Sequence, residues 1–354
     1  MSARRFPNHD ALHIPLSACK HYSSQEITLS YGELERAISQ ATELWRQTGV
    51  TGRVALILEN RPEFFIHWLA LNALGISVIP INHEMPDAEI PYYLEHGEAI
   101  AVLTLESHRT RLVNVVDALT TAIPVITQEQ ISALDLGDVA DMPDSQADVN
   151  RECALLYTSG STGYPKGVVA THRGIIFAPY YWITLTMMSG VASADEDKTT
   201  EEETNESYQA ASLVGVPLFH VTGSHALFLL SIPVGRKTVL MYKWDPEVAL
   251  DLIEQEKISA FTGVPTMSSE MVEAQIKNPR DISTLKDLFG GGAPRPPEQV
   301  KKQKEHMPKT NPGIGYGLTE TNALGANNAG DTYLAKPMST GFPVPKIVDL
   351  KIVD

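Results

Sequence analysis

Residues 157–167 read Tyr157-Thr158-Ser159-Gly160-Ser161-Thr162-Gly163-Tyr164-Pro165-Lys166-Gly167, and they lie between two apolar runs, 154–158 and 168–171, that predict strands. A short loop of small residues between strands can wrap an anion. Gly160 and Gly163 let the backbone approach, the hydroxyls of Thr158, Ser159, Ser161 and Thr162 can donate to phosphate oxygens, and Lys166 adds positive charge. An ordinary Gly/Ser/Thr turn has no use for a lysine after so many hydroxyls. The P-loop of nucleoside triphosphatases ends in Gly-Lys followed by Ser or Thr, whereas Lys166 follows Pro165 and precedes Gly167.

Outward from this loop, strand and helix patterns alternate. Ser30 and Glu33 are spaced as a capping box, and Leu34, Ile38, Ala41 and Trp45 recur on one face, which predicts a helix over 31–48. Gly49 and Gly52 stop it. Strands follow at 54–58, 77–81 and 100–105, with helices at 62–74 and 87–96 between them. An Asp-rich stretch at 132–150 reads as a linker, and the alternation resumes with strands at 211–216, 238–242, 258–262 and 285–289 and helices at 246–256 and 265–275. The fold class is therefore α/β, with two doubly wound, mixed or parallel sheets packed with helices. The expected division is a first α/β subdomain at 1–150, a second at 151–340 that carries the loop, and the start of a third at 341–354.

Composition narrows the function. With 28 Lys and Arg against 43 Asp and Glu, the net charge of −15 disfavours a general nucleic-acid binder, so any anionic ligand must be held by local geometry. Two cysteines, Cys19 and Cys153, are too few for a disulfide framework or a Cys-built metal site; they read as buried thiols in a reducing cytoplasm. No apolar stretch follows Arg4 and Arg5, so no secretory signal is visible. The uncharged run 174–194 contains Pro179, Gly190 and several hydroxyl residues, and reads as a buried helix rather than a membrane span. The acidic stretch 194–207 reads as a solvated insertion.

The loop at 157–167 resembles the phosphate-binding signature of the adenylate-forming superfamily, which includes acyl- and aryl-CoA synthetases, firefly luciferase and the adenylation domains of peptide synthetases. Further segments in the family's order strengthen the resemblance. Pro217-Leu218-Phe219-His220 looks like the segment beside the carboxylate pocket, where an aromatic or His residue gates access between ATP and the acid, a role that falls on His220. Gly290-Gly291-Gly292-Ala293-Pro294 looks like the loop lining the adenine and acyl pocket; by itself it also reads as a strand-to-helix turn. Gly315-Tyr316-Gly317-Leu318-Thr319-Glu320 is similar to the adenine and magnesium segment. There the resemblance implies that Tyr316 packs on adenine, Thr319 donates to a phosphate and Glu320 helps hold Mg2+. Leu29-Ser30-Tyr31-Gly32-Glu33-Leu34 and Val78-Ile79-Pro80-Ile81-Asn82 are scaffold matches.

What the resemblance implies is the N-terminal domain of an adenylate-forming enzyme. ATP, with Mg2+, converts a carboxylic acid to an acyl adenylate that then acylates CoA. Lys166, Thr319, Glu320 and His220 carry the chemistry, and Thr158 to Gly163, Gly291 to Pro294 and Gly315 to Thr319 surround the nucleotide. The apolar region 213–232 with Gly223, Gly263 and Gly291 suggests a fatty or other hydrophobic acid. An aryl acid, a carrier-protein acceptor or a non-catalytic adenylate-binding module are the alternatives. The family's later Gly-Asp motif, hinge, β-barrel part and C-terminal domain with its lysine have no counterpart in these residues. The expectation is therefore a fragment with low turnover alone.

Overall fold

The computed structural model describes residues 2–20, 23–132, 148–159, 163–192 and 208–353. The chain forms two compact units, one comprising Ser30–Ile175 with Pro217–His220, the other Met1–Leu29, Ile176–Val216 and Val221–Asp354. Among the described residues each unit is built on one sheet, of six strands in the first and eight in the second.

The chain starts in the second unit with β1 (Asp10–Ile14) and β2 (Ile27–Ser30). It then builds the first unit from β3 (Arg53–Leu56), β4 (Ser77–Pro80), β5 (Ala99–Thr104), β6 (Val125–Thr127), β7 (Glu152–Thr158) and β8 (Lys166–Thr171), in the order β6-β5-β3-β4-β7-β8. All neighbours are parallel except β7 and β8. The remainder is β9 (Ala211–Val214), β10 (Lys237–Leu240), β11 (Ala260–Gly263), β12 (Asp287–Gly291), β13 (Asn311–Gly317) and β14 (Gly325–Ala329). The second sheet runs β14-β13-β12-β11-β9-β10-β1-β2, and β13 pairs with β14 antiparallel.

Local signals in the sequence account for much of this. The capping box forms as expected: Ser30 Oγ accepts from the Glu33 amide at 3.2 Å, and Glu33 Oε2 accepts from the Ser30 amide at 2.8 Å. Helix Tyr31–Thr48 ends at Gly49 with φ of 67°. The first sheet is sealed by Ala55, Ile57, Ile79, Val102 and Leu155 against Ile90, Leu94 and Leu112, so its strands are apolar on both faces, as parallel strands are. Arg53 at the start of β3 grips Glu152 at the start of β7 through two bonds of 2.7 and 2.9 Å. Cys19 and Cys153 are both free and buried, and burial pushes the Cys153 thiol up to about 12.

Three expectations meet a different structure, and a further one falls outside the described residues. The boundary near residue 150 does not separate the sheets: β7 joins β4, and β1 joins β10, because backbone pairing follows strand geometry and not sequence proximity. Residues 133–147 of the expected linker and the acidic stretch 194–207 lie outside the described residues. Residues 341–353 fall within the second unit, where Phe342 bridges Asn327 and Val344 is buried. Helix His172–Ala192 forms across Pro179 but is not a buried helix: Ile175, Ala178 and Tyr181 face inward while Ile176, Phe177, Tyr180, Met187 and Met188 are exposed. No helix among the described residues is long and apolar enough to cross a membrane.

In the second unit, Glu256 receives His13 Nε2 at 3.3 Å and Lys237 Nζ at 2.9 Å, which lowers its carboxyl from 4.5 to about 2. A depressed carboxyl contributes stability that is complete above its unfolded pKa and lost as pH falls through the folded one. Glu256→Gln should thus cost roughly 2 kcal/mol above pH 5, discounted for partial exposure, and nothing near pH 2. Urea unfolding of both proteins across that range checks this; a pH-independent gap would refute the pairing.

Candidate functional site

In the first unit the loop singled out in the sequence is the turn of the β7–β8 hairpin. Thr158 ends β7 opposite Lys166, which opens β8, so hydroxyl and ammonium residues face each other across the hairpin's mouth. Thr158 is half-buried, while Ser159 and Lys166 are exposed. Gly163 has φ of 92° with open space where a side chain would stand, so glycine is needed here for the backbone and leaves room for a ligand. Gly160, Ser161 and Thr162 lie outside the described residues. Because β7 runs parallel to β4, the turn falls at the carboxyl end of the parallel strands, where ligands of open α/β sheets bind.

Helix Ile90–His96 braces this turn on both flanks, a role the sequence reading did not assign. Tyr92 Oη donates to the Pro165 carbonyl at 2.8 Å. On the other flank Tyr157 Oη lies 2.8 Å from His96 Nδ1 and 3.3 Å from the Tyr93 carbonyl, and its one proton serves one of them. Burial pushes Tyr157 to about 12, so it remains a phenol. Tyr92 stacks on His96 at 5.2 Å, and Tyr164 stands 5.9 Å from Tyr92. Gly97 is forced: a Cβ there would lie 2.6 Å from the Tyr93 carbonyl and 3.1 Å from Tyr157 Oη. The available sequence signal was Tyr92, Tyr93 and His96 clustered on one helical turn.

Pro217–His220 belongs to the same unit. The Leu218 amide donates to Asn60 Oδ1 at 3.0 Å, and the Phe219 and His220 rings sit 4.5 Å apart. His220 keeps exposed area, yet protein around its ring lowers its pKa by desolvation, so the imidazole is neutral at pH 7.

The second unit carries the other two segments side by side, since Gly291 on β12 is in register with Gly315 on β13. A Cβ on Gly291 would stand 3.4 Å from the Gly315 carbonyl, and one on Gly315 would stand 3.3 Å from the Trp182 ring. Gly292 has φ of 76°, and Gly292, Ala293 and Pro294 are exposed beyond the end of β12. Tyr316 lies on β13 opposite Ala326 and is 42% exposed. Gly317 pairs with Gly325, and the turn between them contains the short 3-10 helix Thr319–Thr321 with Glu320 exposed. Gly317 and Gly325 cannot carry side chains: a Cβ on either would come within 2.4 and 2.2 Å of the Ala323 and Tyr316 carbonyls respectively. Asn322 and Ala323 then adopt φ of 53° and 66°, strain of the kind held at ligand turns. Tyr181 Oη fixes the return strand by donating to the Gly325 carbonyl at 2.7 Å.

His225 is a further residue the sequence reading passed over. It is fully buried in the π-helix Thr222–Leu229, bonded to Ser224 at 2.8 Å, and burial pushes it down to about 4 against the opposing effect of Asn322. π-helical turns recur at functional sites. Gly263 does not open a cavity, since a Cβ there would meet the Phe261 ring at 2.7 Å.

Two parallel-rich sheets packed with helices define the N-terminal domain of the adenylate-forming enzymes, and known proteins agree. Residues 1–354 match the family described as AMP-binding enzyme, and the chain belongs to it. It is 30% identical to 2-succinylbenzoate–CoA ligase of Bacillus licheniformis, over 82% of this chain and 54% of that one. It is 27% identical to 4-coumarate–CoA ligase-like 9 of Arabidopsis thaliana, over 94% of this chain and 57% of that one. The chain thus spans little more than half the length of these relatives. Among solved structures, the N-terminal domain of FACL13 from Mycobacterium tuberculosis shares the fold with a TM-score of 0.78 at 20% identity, covering 97% of this chain and 80% of that one. A long-chain-fatty-acid–CoA ligase from Archaeoglobus fulgidus gives 0.81 at 20% identity, covering 97% and 67%.

The brace predicts a specific sensitivity. Gly97→Ala should destabilise the protein by about 1–3 kcal/mol through overpacking, and Tyr157→Phe by about 1 kcal/mol. Urea denaturation measures both, and an unchanged midpoint in Gly97→Ala would show that the Tyr93–Tyr157 contact is not rigid.

Proposed function

We propose that the protein serves ATP-dependent activation of a hydrophobic carboxylic acid to its acyl adenylate, followed by transfer of the acyl group to the thiol of CoA. The observation that carries this reading is the β7–β8 hairpin, which sets Thr158 against Lys166 at the carboxyl end of parallel strands.

In this reading a carboxylate oxygen of the acid attacks the α-phosphorus of ATP, the bond to the β-phosphate oxygen breaks, and pyrophosphate leaves. The thiolate sulfur of CoA then attacks the acyl carbon and AMP departs. Such chemistry is chiefly positioning and charge stabilisation. Lys166 and the hydroxyls of the turn hold the phosphates, Tyr316 packs on adenine, and Thr319 donates to a phosphate. Gly291 to Pro294 line the nucleotide and acyl surface, and neutral His220 stands at the acid.

Glu320 is exposed, and no group of three or more His, Cys, Asp or Glu among the described residues could hold a metal ion. One free carboxylate suits a Mg2+ that arrives on phosphates and keeps its waters, and does not suit a metal caged by protein. Mg2+ when bound would neutralise charge on the departing pyrophosphate. Two buried thiols fit residence in the reducing cytoplasm.

A second reading concerns the acid. The relatives matched by sequence are named for 4-coumarate and 2-succinylbenzoate, which favours an aryl acid over the fatty acid that the apolar region 213–232 suggests.

A panel of aryl and fatty acids with ATP, Mg2+ and CoA should yield AMP and pyrophosphate; ADP as the product would overturn the reaction class. Lys166→Ala should lower kcat/KM for ATP by roughly 100-fold with Tm unchanged, because a charged contact made to the reacting phosphates is lost. Glu320→Gln should raise the Mg2+ concentration needed for half-maximal rate, and an unaltered requirement would remove Glu320 from the metal.

A further inference from the structure

Arg295 follows the Gly290–Pro294 turn and folds back into the second unit, with only 4% of its surface exposed. Its Cδ lies 3.7 Å from where a Cβ on Gly290 would stand. One nitrogen, Nη2, donates to Gln303 Oε1 at 2.6 Å. Gln303 is itself fully buried and engaged with the Leu288 carbonyl and Thr310 Oγ1. The Nε and Nη1 groups of Arg295, the hydroxyl of Tyr333 and Oε1 of Gln299 are buried without hydrogen-bond partners among the described residues. Gln299 precedes Gln303 by one helical turn and so shares its face of helix Pro297–His306.

The charge balance is what sets Arg295 apart. Arg53 pairs with Glu152, Arg61 with Glu63, and Arg280 with Glu247 and Asp251. The group that acts electrostatically on Arg295 is the Tyr333 phenol, and no carboxylate among the described residues reaches it. A buried guanidinium without a counter-charge is among the costliest arrangements a fold can hold, and a water molecule supplies hydrogen bonds but no charge. Val300 and Leu334, which pack with Tyr333, also line a surface groove of about 850 Å3 that carries Lys301 and Lys304 together with Glu298 and Glu305.

We propose that Arg295 and Tyr333 bind one small oxyanion, of the carboxylate or phosphate class, inside the second unit beneath the Gly290–Pro294 turn. The arginine donors and the phenol hydroxyl point to an oxygen acceptor with negative charge. Rotation of the Gln299 amide lets it donate as well. The occupied site stiffens the turn that Arg295 anchors.

Thermal unfolding of the whole chain, titrated with inorganic phosphate or acetate at fixed ionic strength made up with a bulky sulfonate salt, tests this. The expected result is a saturable rise in Tm of about 2–5 °C with one of the two anions. The rise should vanish in Arg295→Met, shrink in Tyr333→Phe and persist in Lys166→Ala. In anion-free buffer Arg295→Met should be at least as stable as the parent, since it removes an unpaired charge. Absence of a saturable rise in the parent overturns the proposal, as does an equal rise in Arg295→Met. A rise lost only in Lys166→Ala would place the anion at the hairpin turn and also overturn it. Should Arg295→Met fail to fold, the parent and Tyr333→Phe titrations decide alone.

Discussion

Antiparallel pairing at an edge of a parallel-rich sheet is the constraint on which the arrangement of this molecule depends. A parallel strand can be followed by another parallel strand only through a long crossover, whereas a reversal needs only a short turn, and that turn must sit at the carboxyl end of the strand it leaves. The chain makes such a reversal in each unit, at β7–β8 and at β13–β14. The two reversals carry the hydroxyl-and-lysine turn and the Tyr316-to-Glu320 turn. The most chemically loaded segments are therefore the two short turns that the topology delivers to the ligand-binding ends of the sheets.

Each turn is stiffened by atoms outside it. On the first, Tyr92 and Tyr157 hold the two flanks and Gly97 leaves no slack beneath them. On the second, Gly317 and Gly325 let the strands close to distances no other residue tolerates, and Tyr181 ties down the return strand. Fixed flanks hold the described residues at the ends of these turns, Thr158 and Lys166 on the first, in place on binding, and preorganised donors are the ones that stabilise developing charge. With a net charge of −15 the protein cannot rely on a general positive field to attract phosphates, so local donors must do so.

Much of this was legible in the sequence where the signal is local. The capping box of Ser30 and Glu33, the Gly49 stop, the alternation through residue 105 and the strands flanking 159–165 depend on residues a few positions apart, and the chain folds as they predict. What was not legible depends on partners far along the chain. β1 finds β10 more than 200 residues away, which no periodicity announces. Helix His172–Ala192 is apolar all round, so its sequence predicts burial, yet only one face is covered. Chemically conspicuous residues such as Lys166 and Glu320 stood out, while Tyr92 and Tyr93, within the helix expected at 87–96, were given no role. Arg295 carries no signal in a loop of glycine and proline; its burial alone makes it unusual.

The most direct test of the account is hydrogen exchange on the chain with and without a stable acyl-adenylate analogue. If the first unit's hairpin turn meets the nucleotide as proposed, slowing on binding should concentrate in peptides covering 157–167, with the helix at 90–96 following. Slowing elsewhere, with this turn unchanged in a complex shown to have formed, would contradict the proposal that the β7–β8 hairpin meets the nucleotide.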